Sequence, residues 1–355
     1  MQSVTHVITT IEMGGAEKQL LILTSAQVKS GRSVRVFFLK GKPELMSDFE
    51  KSGVVVSSLL ANKSFIVQLV KFRRVIFNKN EIIHAHLPQA ELLSALSRVG
   101  GKLLITRHNA EPFWPGKPPI LSKILSKYVT NRADVVIAIS NAVKNYLQRS
   151  GELGNRNSVQ VVHYGFPGNI KRREQRSESL IFGTISRLTS QKDLPTMLKA
   201  FAKIARLNAG FKLFIVGDGE LRNQLEDLAK NLEISKQIHW LGRTSQVESF
   251  LESLDVFVLT SRYEGFGMVI LEAISKSVPI LAANNDAITE VLGEDSPSLF
   301  SVGNYHDLAK KMNQMQKLDF KGIVLESNLA RFENFGVSRM ITVMDEIYSA
   351  PSYCP

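Results

Sequence analysis

Ser261-Arg262-Tyr263-Glu264-Gly265-Phe266-Gly267-Met268-Val269-Ile270-Leu271-Glu272-Ala273 follows a short apolar burst, Val256–Leu259. The burst reads as a buried strand and the run from Met268 as a helix, so the two glycines sit at a strand-to-helix turn. Gly265 and Gly267 let the backbone approach a ligand closely. The helix start offers unpaired N–H groups and a positive dipole end to an anion. Glu264 lies in the turn, and Glu272 lies about 1.5 turns into the helix, roughly 8 Å along it. A carboxylate on each side of an anion-binding turn suits a ligand with hydroxyl-bearing groups on both sides of a diphosphate. The spacing alone would describe two surface glutamates. Glu-Gly-Phe-Gly at a strand end favours the ligand.

Working outward, strand-like and helix-like segments alternate along the whole chain. Strands are expected at Thr5–Thr9, Val34–Leu39, Ile82–His84, Leu103–Thr106, Val135–Ile139 and Val159–His163. Helical periods such as Glu17–Ser30 and Leu121–Arg132 lie between them. The rhythm pauses at Phe166-Pro167-Gly168-Asn169 and the polar run Ile170–Glu178, which includes Lys171-Arg172-Arg173. It restarts with strands at Leu180–Ser186, Lys212–Val216, Ile238–Leu241, Val256–Leu259, Pro279–Ala282 and Ser298–Phe300, and helices such as Leu194–Leu207, Gly219–Leu232 and Ser338–Ser349. This βαβα order predicts an α/β protein with two doubly wound, Rossmann-like domains facing each other across a ligand cleft. The expected division is residues 1–168, residues 169–335, and a C-terminal helix and tail, 336–355, crossing back to the first domain.

The composition agrees. The chain has 355 residues, 44% hydrophobic and 22% charged, enough for two cores. Its one cysteine, Cys354, cannot form an internal disulfide. The N-terminal residues read as a strand, not a signal peptide, and no apolar run approaches the roughly 20 residues of a membrane span. A cytoplasmic protein is expected. The net charge is +11; residues 1–168 carry 22 Lys and Arg against 10 Asp and Glu, so the whole excess lies in the first domain. Such a field attracts anionic partners.

At this point the resemblance is plain. The Glu264–Glu272 segment resembles the E-x7-E signature of the retaining glycosyltransferases of family 4, which have the GT-B fold, and further motifs follow in the family's order. Met13-Gly14-Gly15-Ala16-Glu17 resembles a G-G-A-E loop, a type that lets amides reach a phosphate. Glu81-Ile82-Ile83-His84-Ala85-His86 resembles a strand near the cleft; its two histidines lack a third convergent ligand, so they read as structural and no metal site is assigned. Thr106-Arg107-His108-Asn109 resembles the T-x-H segment, and the resemblance implies that His108 touches the donor sugar. Asp134–Ser140 resembles a structural strand and helix start, Ser140 serving as cap.

In the second half, Gly183–Asp193 resembles the G-R-L-x-x-x-K-G segment. Arg187 and Lys192 are two cations at a strand end that neutralise a leaving diphosphate. Val216-Gly217-Asp218-Gly219-Glu220-Leu221 resembles a structural G-D-G turn, and Trp240-Leu241-Gly242-Arg243-Thr244 resembles the F-x-G segment beside the nucleotide base. The sequence departs from the pattern at Asp193, where the family has glycine, and at Ser277-Val278-Pro279, which lacks the glycine before proline. It departs again at Asn284-Asn285, which replaces a glycine-rich turn.

The resemblance implies same-face transfer from a nucleotide sugar, UDP- ahead of GDP-linked, without metal or other cofactor. Glu264 and His108 are the expected catalytic residues. Donor contacts are expected from Gly14, Gly15, Arg187, Lys192, Arg243, Gly265, Phe266, Gly267, Met268 and Glu272. A lipid-linked saccharide acceptor in surface polysaccharide synthesis is expected from the basic first domain. Wound as a helix within Lys63–Lys79, the cations Lys63, Lys71 and Arg74 share one side, and Phe65, Leu69, Phe72 and Ile76 line another. Lys117, Lys123 and Lys127 form a second group beside Ile120, Leu121 and Leu125. Together they suggest peripheral contact with anionic lipid at the inner face of the cell membrane. Solvated lysines on ordinary helices explain the faces as well, but not why the excess charge stops at the domain boundary. Two other readings stand beside this one. A sugar-nucleotide 2-epimerase of the same fold would need further acid/base carboxylates in the first domain. A nucleic-acid-binding protein would need basic motifs interleaved with aromatics, which are absent. A nicotinamide enzyme is disfavoured because Gly14-Gly15 lacks G-x-G-x-x-G spacing.

Overall fold

The computed structural model describes residues 3–76, 81–97, 101–154, 158–171 and 180–351. Cys354, Lys79 and most of the expected linker, from Arg172 onward, lie outside the described residues. The chain divides into two compact units, Met1–Pro167 with Phe335–Pro355, and Gly168–Asn334.

The first unit runs β1 (Val4–Ile8), α1 (Gly15–Lys29), β2 (Val34–Phe38), α2 (Met46–Lys51), β3 (Val55–Ser57), α3 (Phe65–Val75) and β4 (Ile82–His86). It continues with α4 (Pro88–Ser97), β5 (Lys102–Arg107), α5 (Pro119–Arg132), β6 (Val135–Ala138), α6 (Asn141–Ser150) and β7 (Val159–Val161). The strands form one parallel sheet in the order β3-β2-β1-β4-β5-β6-β7. The short edge strand β3 was not legible as a strand, since Val55 is exposed and the run has no alternation to read. Ser140 does cap α6, accepting from the Val143 N–H at 3.1 Å.

The second unit runs β8 (Ile181–Ile185), α7 (Leu194–Ala205), β9 (Lys212–Val216), α8 (Arg222–Asn231), β10 (Ile238–Gly242), α9 (Val247–Ser253) and β11 (Val256–Leu259). It ends with α10 (Met268–Ser275), β12 (Ile280–Ala283), α11 (Asp286–Leu292), β13 (Leu299–Phe300), α12 (Tyr305–Gln314) and α13 (Leu318–Phe332). Its parallel sheet has the order β10-β9-β8-β11-β12-β13, over a core that includes Phe182, Phe201 and Phe211.

The last helix, α14 (Val337–Ser349), belongs to the first unit and packs on α1. Its Met340, Met344, Ile347 and Tyr348 join Val4, Ile82, Leu104 and Ile137 in one apolar cluster. Each such side chain removed from water contributes about 1.5–3 kcal/mol. The Lys102 ammonium donates to the carbonyl oxygens of Ile347 and Ala350, closing the open C-terminal end of the helix. Arg32 pairs with Asp345 at 2.7 Å. Among the described residues no helix is long and apolar enough to cross a membrane.

Candidate active site

In each unit the strand order reverses at one point, and ligands of open α/β sheets bind outside the strand ends there. In the second unit the reversal lies between β8 and β11, and the loops leaving those two strands, with the helix after β11, carry most of the expected donor residues.

These loops are joined by one backbone–backbone and two side chain–backbone hydrogen bonds. The Arg262 N–H donates to the Gln191 carbonyl at 2.9 Å, the Thr260 hydroxyl to the Lys192 carbonyl at 2.8 Å, and the Gln191 amide to the Tyr263 carbonyl at 3.0 Å. The fastening brings Lys192 Nζ to 2.5 Å from Glu264 Oε1, with the two side chains 13% and 12% exposed. A turn after β9 braces the first loop. Gly217 has φ +128°, and a Cβ there would lie 1.8 Å from the Ser186 carbonyl oxygen, so only glycine fits. The Leu188 N–H donates to the Asp218 carbonyl at 3.0 Å. The turn is thus a structural clamp on the Arg187 loop.

Gly267 caps α10 in the left-handed region, φ +87°, where a side chain would be strained. Gly265 and Met268 are half-buried beside it, as is Glu272 farther along the helix. Phe266 is buried. Arg187 and Arg243 are exposed, in the loops after β8 and β10. Two of the departures fall where glycine is at home: Asp193 has φ +46° and Ser277 φ +52°. Asp193 has compensating partners, accepting from the Thr196 hydroxyl at 3.0 Å and pairing with Arg262 at 3.3 Å. Asn285, at the third departure, caps α11 by accepting from the Ile288 N–H.

In the first unit the reversal lies between β1 and β4. Gly14 caps α1 in extended conformation and Gly15 opens the helix. A Cβ on Gly14 would lie 2.3 Å from Glu17 Oε2. Glu17 accepts from the Thr10 hydroxyl at 2.7 Å, and burial pushes its carboxyl above the usual range. His108 lies beyond the end of β5, buried, with both ring nitrogens engaged: Nδ1 with the Tyr164 hydroxyl and Nε2 with His86 Nδ1 at 3.2 Å. Burial lowers its pKa to about 3, so the ring is neutral. The loop after it is anchored by Arg107, which pairs with Glu91 at 2.8 Å, with Glu152 at 3.6 Å, and lies over Phe113. Burial raises Glu91 to about 7, against the opposing pull of Arg107.

Sequence reading missed His6, Gln27, Tyr164 and Tyr348, which surround the expected histidines. His6 stands opposite His84 across β1 and β4, an inward parity position that strand alternation would have revealed. Among the described residues His6, His84 and His86 bring possible ligand nitrogens within 4.8 Å of one another. All six of their ring nitrogens already have hydrogen-bond partners within the unit, so a metal would have to displace those bonds.

The expected membrane-side residues sit on α3 and α5 and at their starts. Lys63, Arg74, Lys117, Lys123 and Lys127 are exposed and Lys71 is half-buried. On α3 the structure refines the expected apolar side. Phe72 and Ile76 are buried and Phe65 and Leu69 half-buried, while Ile66, Val67 and Val70 are exposed among the cations, Ile66 to 73%. On α5 Ile120 is 76% exposed, and Leu121, Ile124 and Tyr128 are exposed with it; Leu125 is half-buried.

Two doubly wound parallel-sheet units, with glycine-rich loops at their reversal points, are the architecture of the GT-B fold. Residues 13–168 match the family described as Glycosyltransferase Family 4, and residues 166–328 match Glycosyl transferases group 1. The chain belongs to the family 4 glycosyltransferases of GT-B type. It is similar to N-acetyl-alpha-D-glucosaminyl L-malate synthase of Bacillus anthracis, 27% identical over 76% of this chain and 74% of that protein. It is also similar to the amylovoran biosynthesis glycosyltransferase AmsD of Erwinia amylovora, 28% identical over 55% of this chain and 54% of that one. Among solved structures, Anabaena HepE in complex with UDP-glucose matches with a TM-score of 0.81 at 20% identity, over 98% of this chain and 100% of that one.

Proposed function

We propose that this glycosyltransferase moves a sugar, with retention at the anomeric carbon, from a UDP-sugar to a lipid-linked saccharide or polysaccharide acceptor in surface polysaccharide synthesis. The observation that carries the reading is the Lys192–Glu264 pair, held at the strand-order reversal beside the Gly267-capped start of α10. A cation and a helix N-terminus are what a departing diphosphate needs. Arg187, Lys192 and the Gly265–Met268 backbone take the diphosphate charge, Glu272 the ribose, and the loop at Arg243 the base. Glu264 and His108 position the sugar, and the Gly14–Gly15 turn adds amides. The departing phosphate oxygen accepts the acceptor's proton, so no enzymic nucleophile is required. Cations and amides cover the developing charge, and the reading assigns no divalent metal. The UDP and UDP-glucose complexes of HepE support a uridine donor, and the amylovoran enzyme supports a polysaccharide product.

The exposed apolar residues among the cations of α3 and α5 support a first unit that rests on anionic lipid, apolar side chains in the acyl boundary and ammonium groups at the headgroups. On this reading the enzyme works at the inner face of the cell membrane, where a lipid-linked acceptor is presented.

The test is a panel of nucleotide sugars incubated with the protein in excess chelator, with product anomers read by NMR. A UDP-sugar should be consumed and its anomeric configuration kept. Glu264→Gln should remain folded and lose about a hundredfold or more in turnover. Undiminished turnover in Glu264→Gln, or an inverted product, would overturn the reading.

A further inference from the structure

Eight buried or largely buried side chains of the first unit form one continuous hydrogen-bonded chain. It begins at Tyr164, whose hydroxyl meets His108 Nδ1. His108 Nε2 meets His86 Nδ1 at 3.2 Å, and His86 Nε2 meets His6 Nδ1 at 3.0 Å. His6 Nε2 meets Gln27 Oε1 at 2.9 Å, and Gln27 Nε2 donates to the Tyr348 hydroxyl at 2.9 Å. The Tyr348 hydroxyl meets His84 Nδ1 at 2.9 Å, and His84 Nε2 meets Thr106 Oγ1 at 2.6 Å. The chain thus links β1, β4 and β5 with the first helix and the last.

A neutral imidazole has one donor and one acceptor nitrogen, so in such a chain the direction of one bond dictates the next. The Gln27 amide sets that direction, because its oxygen can only accept and its nitrogen can only donate. With Oε1 toward His6 and Nε2 toward Tyr348, His6 carries its proton on Nε2. His6 Nδ1 then accepts from His86 Nε2–H, His86 Nδ1 accepts from His108 Nε2–H, and His108 Nδ1 accepts from the Tyr164 hydroxyl. On the other side, the Tyr348 hydroxyl donates to His84 Nδ1, leaving the His84 proton on Nε2, directed at Thr106. All four rings become the Nε2–H tautomer. Turning the Gln27 amide over would reverse every bond and move the proton of every ring.

A chain that runs one way has no free ring nitrogen within it. Adding a proton to His6 or His86 would set one N–H donor against another, the arrangement a buried network tolerates least, and adding one to His108 or His84 would turn the Tyr164 or Tyr348 hydroxyl away from its ring. Burial acts in the same sense, lowering His6 to about 4 and His108 to about 3, with His84 and His86 also lowered. In a retaining transfer, positive charge grows at the anomeric carbon, and an imidazolium beside it would oppose that charge.

We propose that Gln27, on the first helix, and Tyr348, on the last, are positioning residues for sugar transfer: by fixing the direction of this chain they hold His108 as a neutral, immobile Nε2–H imidazole. The proposal rests on the assignment of His108 to the sugar made above.

The experiment uses the full chain labelled with 15N at histidine, with long-range 1H–15N spectra reading the tautomer of each ring, alongside steady-state kinetics with the UDP-sugar found in the panel. In the wild type, His6, His84, His86 and His108 should each show a single Nε2–H tautomer at pH 7.5. Gln27→Leu removes the director, so His108 should show both tautomers, with kcat falling about tenfold to a hundredfold and KM for the donor within about twofold. Gln27→Glu keeps an acceptor for His6, so it should retain the His108 tautomer and most of kcat while moving the proton of His84. Tyr348→Phe is a second variant should Gln27→Leu not fold; it frees the amide to turn and should mix the His108 tautomers. Unchanged His108 tautomers in both Gln27→Leu and Tyr348→Phe would overturn the proposal. So would a charged His108 at pH 7.5, stoichiometric zinc bound through these rings, or mixed tautomers with kcat intact. The spectra require no turnover, so a failure of the transferase reading itself would appear separately, as a panel in which no nucleotide sugar is consumed.

Discussion

Replacing Lys192 with Met, alone and together with Glu264→Gln, tests the donor site most directly. A charge-assisted hydrogen bond from Lys192 to a diphosphate oxygen contributes about 1.5–3 kcal/mol, or roughly 10–150-fold in Kd. Lys192→Met also strands the Glu264 carboxylate, which in the native protein lies 2.5 Å from the ammonium and is only 12% exposed. A carboxylate left unpaired in that setting repels a diphosphate; two unit charges about 5 Å apart at an effective dielectric of about 20 interact by about 3 kcal/mol. Lys192→Met should therefore weaken UDP binding by tenfold or more. Glu264→Gln should leave UDP affinity within about threefold of the wild type, because it removes both the native partner of Lys192 and a negative charge. The double variant should bind UDP more tightly than Lys192→Met alone, with a coupling of about 0.5–3 kcal/mol for two side chains in contact. Calorimetry with UDP at fixed ionic strength reads these affinities, and thermal melting checks that each variant is folded. Lys192→Met within twofold of the wild type, or a strictly additive double variant, would refute the reasoning.

Gly217→Ala should be destabilising by about 3 kcal/mol or more, since its Cβ would lie 1.8 Å from the Ser186 carbonyl and its φ is +128°. Urea unfolding reads the loss, and a wild-type midpoint would remove the clamp on the Arg187 loop from the account. Acidification should destabilise the first unit. His6 and His108 have native pKa values of about 4 and 3, lowered by burial, so the unfolded chain takes up protons below about 6.5 while the native state does not. From pH 7.5 to 5.5 His6 and His108 each cost about 1.4 kcal/mol, His84 and His86 act in the same direction, and Glu91, raised by burial to about 7, returns about 2 kcal/mol because its native carboxyl takes up a proton. The net is a loss of stability, and equal or greater stability at pH 5.5 in denaturant titrations would contradict it. Vesicles containing anionic lipid should sediment the protein at low salt and release it at high salt, each basic residue contributing about 1 kcal/mol. Serine at Ile66, Val70, Ile120 and Ile124 should weaken that binding with the net charge unchanged; equal binding to neutral vesicles would defeat the lipid reading.

Much of this protein is local, and the local part was legible in the chain. Alternation of apolar bursts and helical periods is a property of successive residues, so the two doubly wound sheets could be read before any contact was known. The same holds for the strand–turn–helix around Glu264, where two glycines and a helix start lie within a few residues of each other. Tertiary structure decided what lies far apart in sequence. Lys192 and Glu264 are separated by 72 positions and meet because parallel pairing sets β8 beside β11. Gln27 and Tyr348 are separated by 321 positions and meet because the last helix packs back on the first. His84 and His86 looked like a pair without a third ligand because His6 comes from another strand, and its parity only matters once the register His6–His84 is set. The exposed apolar side of α3 was likewise beyond sequence reading. Periodicity says that a helix has an apolar stripe, while the neighbouring sheet and helices decide which residues of that stripe are covered: Phe72 faces the core and Ile66, six positions earlier, faces out.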